Sequence, residues 1–165
     1  MESGKLNYRA SPLSNGEESG VRLDEYFMRE ALREALTAFE KDEVPVGAVV
    51  VAGNRIIARA HNLTETLNDV TAHAEMQVIT AATAHIGGKY LTDCTLYVTL
   101  EPCLMCAGAL YWAQITRIVY GAPDAKRGFS LHPSSPLHPV TTVTGGVLER
   151  ECSVIMSNFF KKKRR

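Results

Sequence analysis

No stretch of this 165-residue chain is apolar for long enough to cross a membrane as a helix, and its N-terminus has no apolar core of the kind a secretory signal needs. Cysteine is scarce, with four residues, and there is no internal repeat. The chain also carries no net charge: eighteen basic side chains balance eighteen acidic ones, so its surface is not globally basic. A hydrophobic fraction of 45% and a charged fraction of 22% are ordinary for a soluble globular protein, and the length suits one domain with a full core. The charge balance hides an asymmetry. Residues 161–165 are all Lys or Arg, which leaves residues 1–160 with thirteen basic groups against eighteen acidic ones. A basic tail on an acidic body can hold a polyanion near a site, although taken alone it reads equally as a solvated, frayed end.

What is present is concentrated between His73 and Cys106. Thr71-Ala72-His73-Ala74-Glu75 opens this stretch and Glu101-Pro102-Cys103-Leu104-Met105-Cys106 closes it. By chance a chain of this composition holds about 0.4 His-x-Glu triplets but only roughly 0.003 Pro-Cys-x-x-Cys runs, so the cysteine half carries the signal. One imidazole and two thiolates suit Zn²⁺, and three protein ligands leave the fourth tetrahedral position for water, as in a catalytic site. Glu75, two residues from a ligand, is placed to handle that water's proton. The bland alternative is a redox dithiol or two buried core thiols, with His73 an ordinary core histidine. Side chains in a first turn tilt toward the helix N-terminus, so His73 and Glu75 can reach one ligand above a helix end. Pro102 suits the first turn of the next helix, where its missing N–H costs nothing. Cys103 and Cys106 then share a face, and the positive helix end favours their thiolates. The remaining cysteines, Cys94 and Cys152, read as core thiols, and such usage predicts a reducing, cytoplasmic setting.

Residues 1–20 are polar without periodicity and predict a mobile tail, with one domain over 21–165. A helix is predicted from about Asp24 to Lys41, then a buried strand over Val44–Val51, a turn at Ala52-Gly53-Asn54, and a second strand over Arg55–His61. The zinc helix runs from His73 to about His85. Leu96–Leu100 forms a third strand that delivers Pro102 and the cysteines. The helix from Cys103 to about Gln114 is apolar nearly all round, as expected if the sheet covers one side and a partner subunit the other. A strand over Arg117–Tyr120 completes a right-handed parallel crossover. The connection 122–139, with four prolines, leads to a short edge strand, Val140–Val143, and a last helix whose buried face is Leu148, Cys152, Ile155 and Phe159. The architecture expected is α/β: one three-layer α/β/α domain on a mixed sheet of about five strands, with the site at strand carboxyl ends. By spacing alone Phe159 is a core anchor and Phe160 is free.

These residues resemble the zinc-dependent cytidine deaminase-like superfamily, whose signature is His-x-Glu with Pro-Cys-x-x-Cys. Asn62, the run Thr71–Met76, Leu96–Cys103, Met105–Ala109, Tyr120–Lys126 and Asn158–Lys161 are similar to the branch of bacterial tRNA-specific adenosine deaminases. The resemblance implies a three-layer fold, a homodimer, and conversion of the wobble adenosine of a tRNA anticodon loop to inosine. It implies one Zn²⁺ per subunit on His73, Cys103 and Cys106, with Glu75 as the catalytic proton shuttle. Asn62, Val44, Asp124 and Phe160 become substrate contacts. The backbone N–H of Ala74 supports the oxygen held by zinc, and Phe159 lies with Asp124 and Phe160 where the loop enters. Lys126, Arg127, Lys161, Lys162 and Lys163 are candidate RNA contacts. Two rival readings stay open: a deaminase of free guanine or cytosine, and a catalytically silent zinc or RNA-binding protein.

Overall fold

The computed structural model describes residues 15–165. Helix α1 (Asn15–Glu40) begins well before the predicted start near Asp24. Its first turns face solvent, so they lack the apolar stripe that periodicity detects. Charge holds them instead: Glu17 and Glu18 sit at the positive helix end, and Glu18 pairs with Arg22 one turn on. Residues 15–20 are therefore helix rather than tail, and residues 1–14 of the expected tail lie outside the described residues.

Strands β1 (Gly47–Ala52) and β2 (Arg55–His61) form the predicted hairpin. Its turn needs positive φ at both central residues, and Gly53 and Asn54 supply φ of 55° and 59°. Helix α2 (Ala74–Ile86) is followed by β3 (Cys94–Leu100), α3 (Leu104–Ala113) and β4 (Arg117–Ala122). The long connection contains one 3-10 turn, Phe129–Leu131, before β5 (Thr142–Thr144), which starts two residues later than expected. Helix α4 (Glu149–Lys163) closes the chain. Lys161, Lys162 and Lys163 are thus the last turn of α4, where basic side chains suit the negative helix end, and only Arg164 and Arg165 extend beyond it.

The sheet order is β2-β1-β3-β4-β5, antiparallel through β2, β1 and β3 and parallel through β3, β4 and β5. Alternation along the strands builds two cores. Ala48, Val50, Leu96, Val98 and Ile118 pack with Ala74 and Val78 of α2 and Ala107 and Leu110 of α3. Val49, Val51, Tyr97 and Val119 pack on the other face with Phe27, Met28 and Ala31 of α1 and Cys152 of α4. This is the expected α/β/α sandwich. Asp24 ties α1 to the sheet: its carboxylate accepts a two-pronged pair of bonds from Arg117 at 2.7 Å and one from the Tyr97 hydroxyl at 2.8 Å.

One residue sets how closely α1 lies on β1. A Cβ at Gly47 would overlap the Ala31 carbonyl and the Ala35 nitrogen of α1. Gly47→Ala is expected to destabilise the protein by about 1–3 kcal/mol through overpacking, read as a lowered urea midpoint with an unchanged slope.

Candidate metal centre and active site

Two helix starts meet at the carboxyl end of β3. His73 caps α2 with ψ 154°, and Cys103 caps α3 with ψ 173°, both in extended backbone. Their carbonyls accept the first helical bonds, from Gln77 at 3.0 Å and Ala107 at 2.8 Å, so both side chains are free to point past the helix ends. Pro102 lies just outside α3 rather than in its first turn, where it turns the chain out of β3. Cys106 follows one turn into α3 and is fully buried.

The three donors converge. His73 Nδ1 lies 3.7 Å from Cys103 Sγ and 3.5 Å from Cys106 Sγ, and all three ligand atoms fall within 4.8 Å of one another. A tetrahedral ion with zinc's usual bonds, near 2.3 Å to sulfur and 2.0 Å to nitrogen, holds such donors about 3.6 Å apart. Both distances match. Glu75, only 4% exposed in the first turn of α2, brings its carboxyl within hydrogen-bond reach of Cys106.

The electrostatics of the cluster call for a cation. Bonds from Cys106 and then His73 hold the Cys103 thiol down to about 4, so it is a thiolate. Cys106 is pushed far up, first by its bond with Cys103, then by burial and by Glu75. Burial pushes the Glu75 carboxyl up to about 7. The imidazole of His73 is driven toward its protonated form, chiefly by its bond with Cys103. Three groups that become anions are crowded together, and a divalent ion is what lets all three ionise at once. The residues present fit zinc.

The description that matches this chain, over residues 21–122, is the zinc-binding region of cytidine and deoxycytidylate deaminases. The chain belongs to this family. The deaminase is 48% identical over 147 residues to the tRNA-specific adenosine deaminase of Bacillus subtilis strain 168, a match spanning 86% of this chain and 91% of that relative. Over 145 residues it is 47% identical to the tRNA-specific adenosine deaminase of Aquifex aeolicus, covering 85% and 95%. A solved structure from a study of A-to-I editing by tRNA:A34 deaminases at the wobble position superposes with a TM-score of 0.73 at 47% identity, covering 79% of this chain and 98% of that one. The guanine deaminase of Nitrosomonas europaea shares the fold, with a TM-score of 0.71 at 21% identity over 94% of this chain and 98% of that one.

The other predicted site residues fall into two groups. Asn62, 5% exposed, lies beside the zinc ligands, because its N–H donates to Val46 and the next N–H donates to the Ala72 carbonyl. Ala74 is fully buried next to His73, and Val44 is half-buried against the core that holds it. Asp124 caps its own turn, accepting bonds from the Lys126 and Arg127 amides at 3.0 Å. Lys126 and Arg127 are exposed at that turn, and Arg127 is near enough for its charge to act on His73. At the end of α4 the expectation changes. Phe159 is buried edge-on to Phe39 and so is a core anchor, as spacing suggested, rather than a group at the loop entrance. Phe160 is 44% exposed. Lys163 pairs with Asp42, and Lys162 sits over the Phe39 ring, so both brace α4 on α1, while Lys161 is exposed.

Sequence reasoning missed two buried carboxylates. Glu101 accepts bonds from the Asp124 amide at 3.2 Å and the Ser130 amide at 2.9 Å, fastening the Asp124–Ser130 loop beside Cys103. A Cβ on Gly128 would overlap this carboxylate, so only glycine fits there. Glu43, fully buried, gathers the loop after Asn62. A charged residue at the edge of an apolar strand was the only local hint, since its partners lie about twenty residues away.

Zinc analysis of purified protein is expected to find one ion per chain. His73→Ala and Cys103→Ala should fall to near zero, and acidification should release the metal from wild type as the ligands take up protons.

Proposed function

We propose that this chain is a zinc-dependent hydrolytic deaminase that converts the wobble adenosine of a tRNA anticodon loop to inosine. The observation that carries the reading is the buried Glu75 carboxyl beside a set that, among the described residues, has three ligands and so leaves a fourth position open: a structural zinc would have four and no use for that acid. The two named bacterial relatives, both tRNA-specific and both matched over most of their length, support the choice of substrate.

His73 Nδ1, Cys103 Sγ and Cys106 Sγ hold the metal. When bound, zinc supplies the Lewis acidity that makes a water nucleophilic near neutral pH. Glu75 does the proton work. Held up to about 7, its carboxyl is poised to accept the water's proton and give it to adenine N1, and then to protonate the departing amine. C6–O forms first; the remaining hydroxyl proton then passes through Glu75 to the exocyclic amine, C6–N breaks, and one water is consumed as ammonia and inosine leave. The Ala74 N–H and the side chains of Asn62 and Val44 line the base site. A base in a single-stranded loop can be splayed into such a site. Asp124 orders the Lys126–Arg127 turn at its mouth, and Phe160 with the exposed Lys161 offers stacking and phosphate attraction from α4.

Two further features belong to this reading. The outward face of α3 leaves Leu104 52% and Trp112 77% exposed, with Met105 and Tyr111 beside them, and a second copy of the chain is the partner that covers it. All four cysteines are free, as the reducing environment of the cytoplasm requires. Among the described residues no helix is long and apolar enough to cross a membrane.

Incubation with an anticodon stem-loop bearing adenosine at the wobble position is expected to yield inosine and ammonia, with none from free guanine or cytosine. Glu75→Gln should retain zinc and lose at least about a thousandfold in turnover; a variant that still turns over rapidly would remove Glu75 from the chemistry. In light scattering the wild type is expected at twice the chain mass, and Trp112→Glu is expected to shift it toward monomer.

A further inference from the structure

Glu101 stands two residues before the ligand Cys103 and is 3% exposed, yet it is not among the clustered donors. Both of its oxygens turn instead to one loop. Oε1 accepts the Asp124 amide at 3.2 Å and Oε2 the Ser130 amide at 2.9 Å, so the two ends of segment 124–130 are pinned to a single carboxylate. The middle of the segment is pinned as well. Gly128 donates its N–H to the Asp124 carbonyl at 2.9 Å and forms an antiparallel bridge with Cys103, and the Phe129 N–H donates to the Pro102 carbonyl at 2.9 Å. Gly128 lies so close to Glu101 that a Cβ there would overlap both oxygens and the carbon between them.

The segment held in this way carries charge outward. Asp124 Oδ1 accepts the Lys126 and Arg127 amides at 3.0 Å, which folds the turn and leaves both basic side chains exposed. Arg127 is close enough to the metal centre for its charge to act on His73. Cys103 needs no help from the buried acid, because the end of β3 and the start of α3 already place its backbone. The loop does need it. Basic side chains on an unanchored loop sample many positions, and binding must restrict them; a loop fixed beforehand at its ends and its middle avoids that cost.

We infer that Glu101 is a positioning residue for the substrate: by clasping segment 124–130 against the chain that carries Cys103, it holds Arg127 at a set distance from the metal ligands, where the guanidinium meets a phosphate of the incoming RNA strand. This deepens the reading above and rests on RNA being the substrate. One carboxylate then ties the stretch bearing a metal ligand to the turn that meets the strand, so that seating the phosphate also registers the base.

The test is steady-state kinetics on the wobble-adenosine stem-loop, with zinc measured in each variant. Glu101→Gln keeps the shape but replaces one acceptor oxygen by an NH2 group that cannot take an amide N–H, so one end of the segment is released. KM is expected to rise about tenfold while kcat stays within about twofold and zinc stays at one ion per chain. Arg127→Ala should raise KM to a similar extent, and the double variant should be no weaker than Arg127→Ala, because Glu101 acts through Arg127. In both single variants KM should climb less steeply with salt than in wild type, as expected when a phosphate contact is lost. A role in metal binding or folding alone predicts lost zinc, a fall in kcat larger than the rise in KM, or KM effects that multiply in the double variant; any of these overturns the inference. If Glu101→Gln does not fold, Gly128→Ala, which displaces the carboxylate without removing it, is held to the same readouts. Failure of both to fold assigns the contact to folding and overturns the inference too. No inosine from wild type removes the proposed function and this inference with it. Normal wild-type turnover with an unchanged KM in Glu101→Gln removes the inference alone.

Discussion

Two thiols and a carboxyl packed against one imidazole cannot all carry charge without a cation among them, and much of this molecule follows from meeting that constraint. Cys103 ionises at the expense of Cys106, and burial holds the Glu75 carboxyl up to about 7. Bringing these groups together requires two helix ends at one place. The parallel pairing of β3 with β4 provides it, because the chain leaving β3 must turn into a crossover helix, while α2 follows β2 and packs on the same face of the sheet as α3. The half-buried caps His73 and Cys103 are the residues at which those two helices begin.

Around the centre, the loops that would meet substrate are held by buried carboxylates rather than by apolar packing. Glu101 fastens the Asp124 turn, and Glu43 fastens the segment from Asn62 to Thr66. Backbone amides donate to both, two to Glu101 and two of the five donors to Glu43, so each loop's conformation depends on a carboxylate inside the protein. A hydrophobic anchor would fix where such a loop lies. A carboxylate also fixes which way its hydrogen-bonding groups point.

Much of this was legible in the chain because it was written locally. The metal ligands could be read from spacing, and apolar runs bounded by turn residues marked the strands. Phe159 was assigned to the core by helical period, and it packs there. What escaped notice was of two kinds. The first turns of α1 are polar and held by charges along the helix, so a method that looks for an apolar stripe does not see them. Glu43, Glu101 and the Asp24–Arg117 pair depend on partners 19 to 93 residues away, and no local pattern shows a buried acid meeting its donor. Lys162 and Lys163 look like a free basic tail in sequence, but α4 carries them onto α1.

The Asp24 clamp has its own significance. It joins α1 to β3 and β4 through Arg117, at the start of β4, while the ligands leave the finish of β3. Anchorage and chemistry thus occupy opposite rims of one sheet. Residues around the reacting base can therefore vary without loosening the frame, which leaves a scaffold of this kind room to change its substrate and still fold.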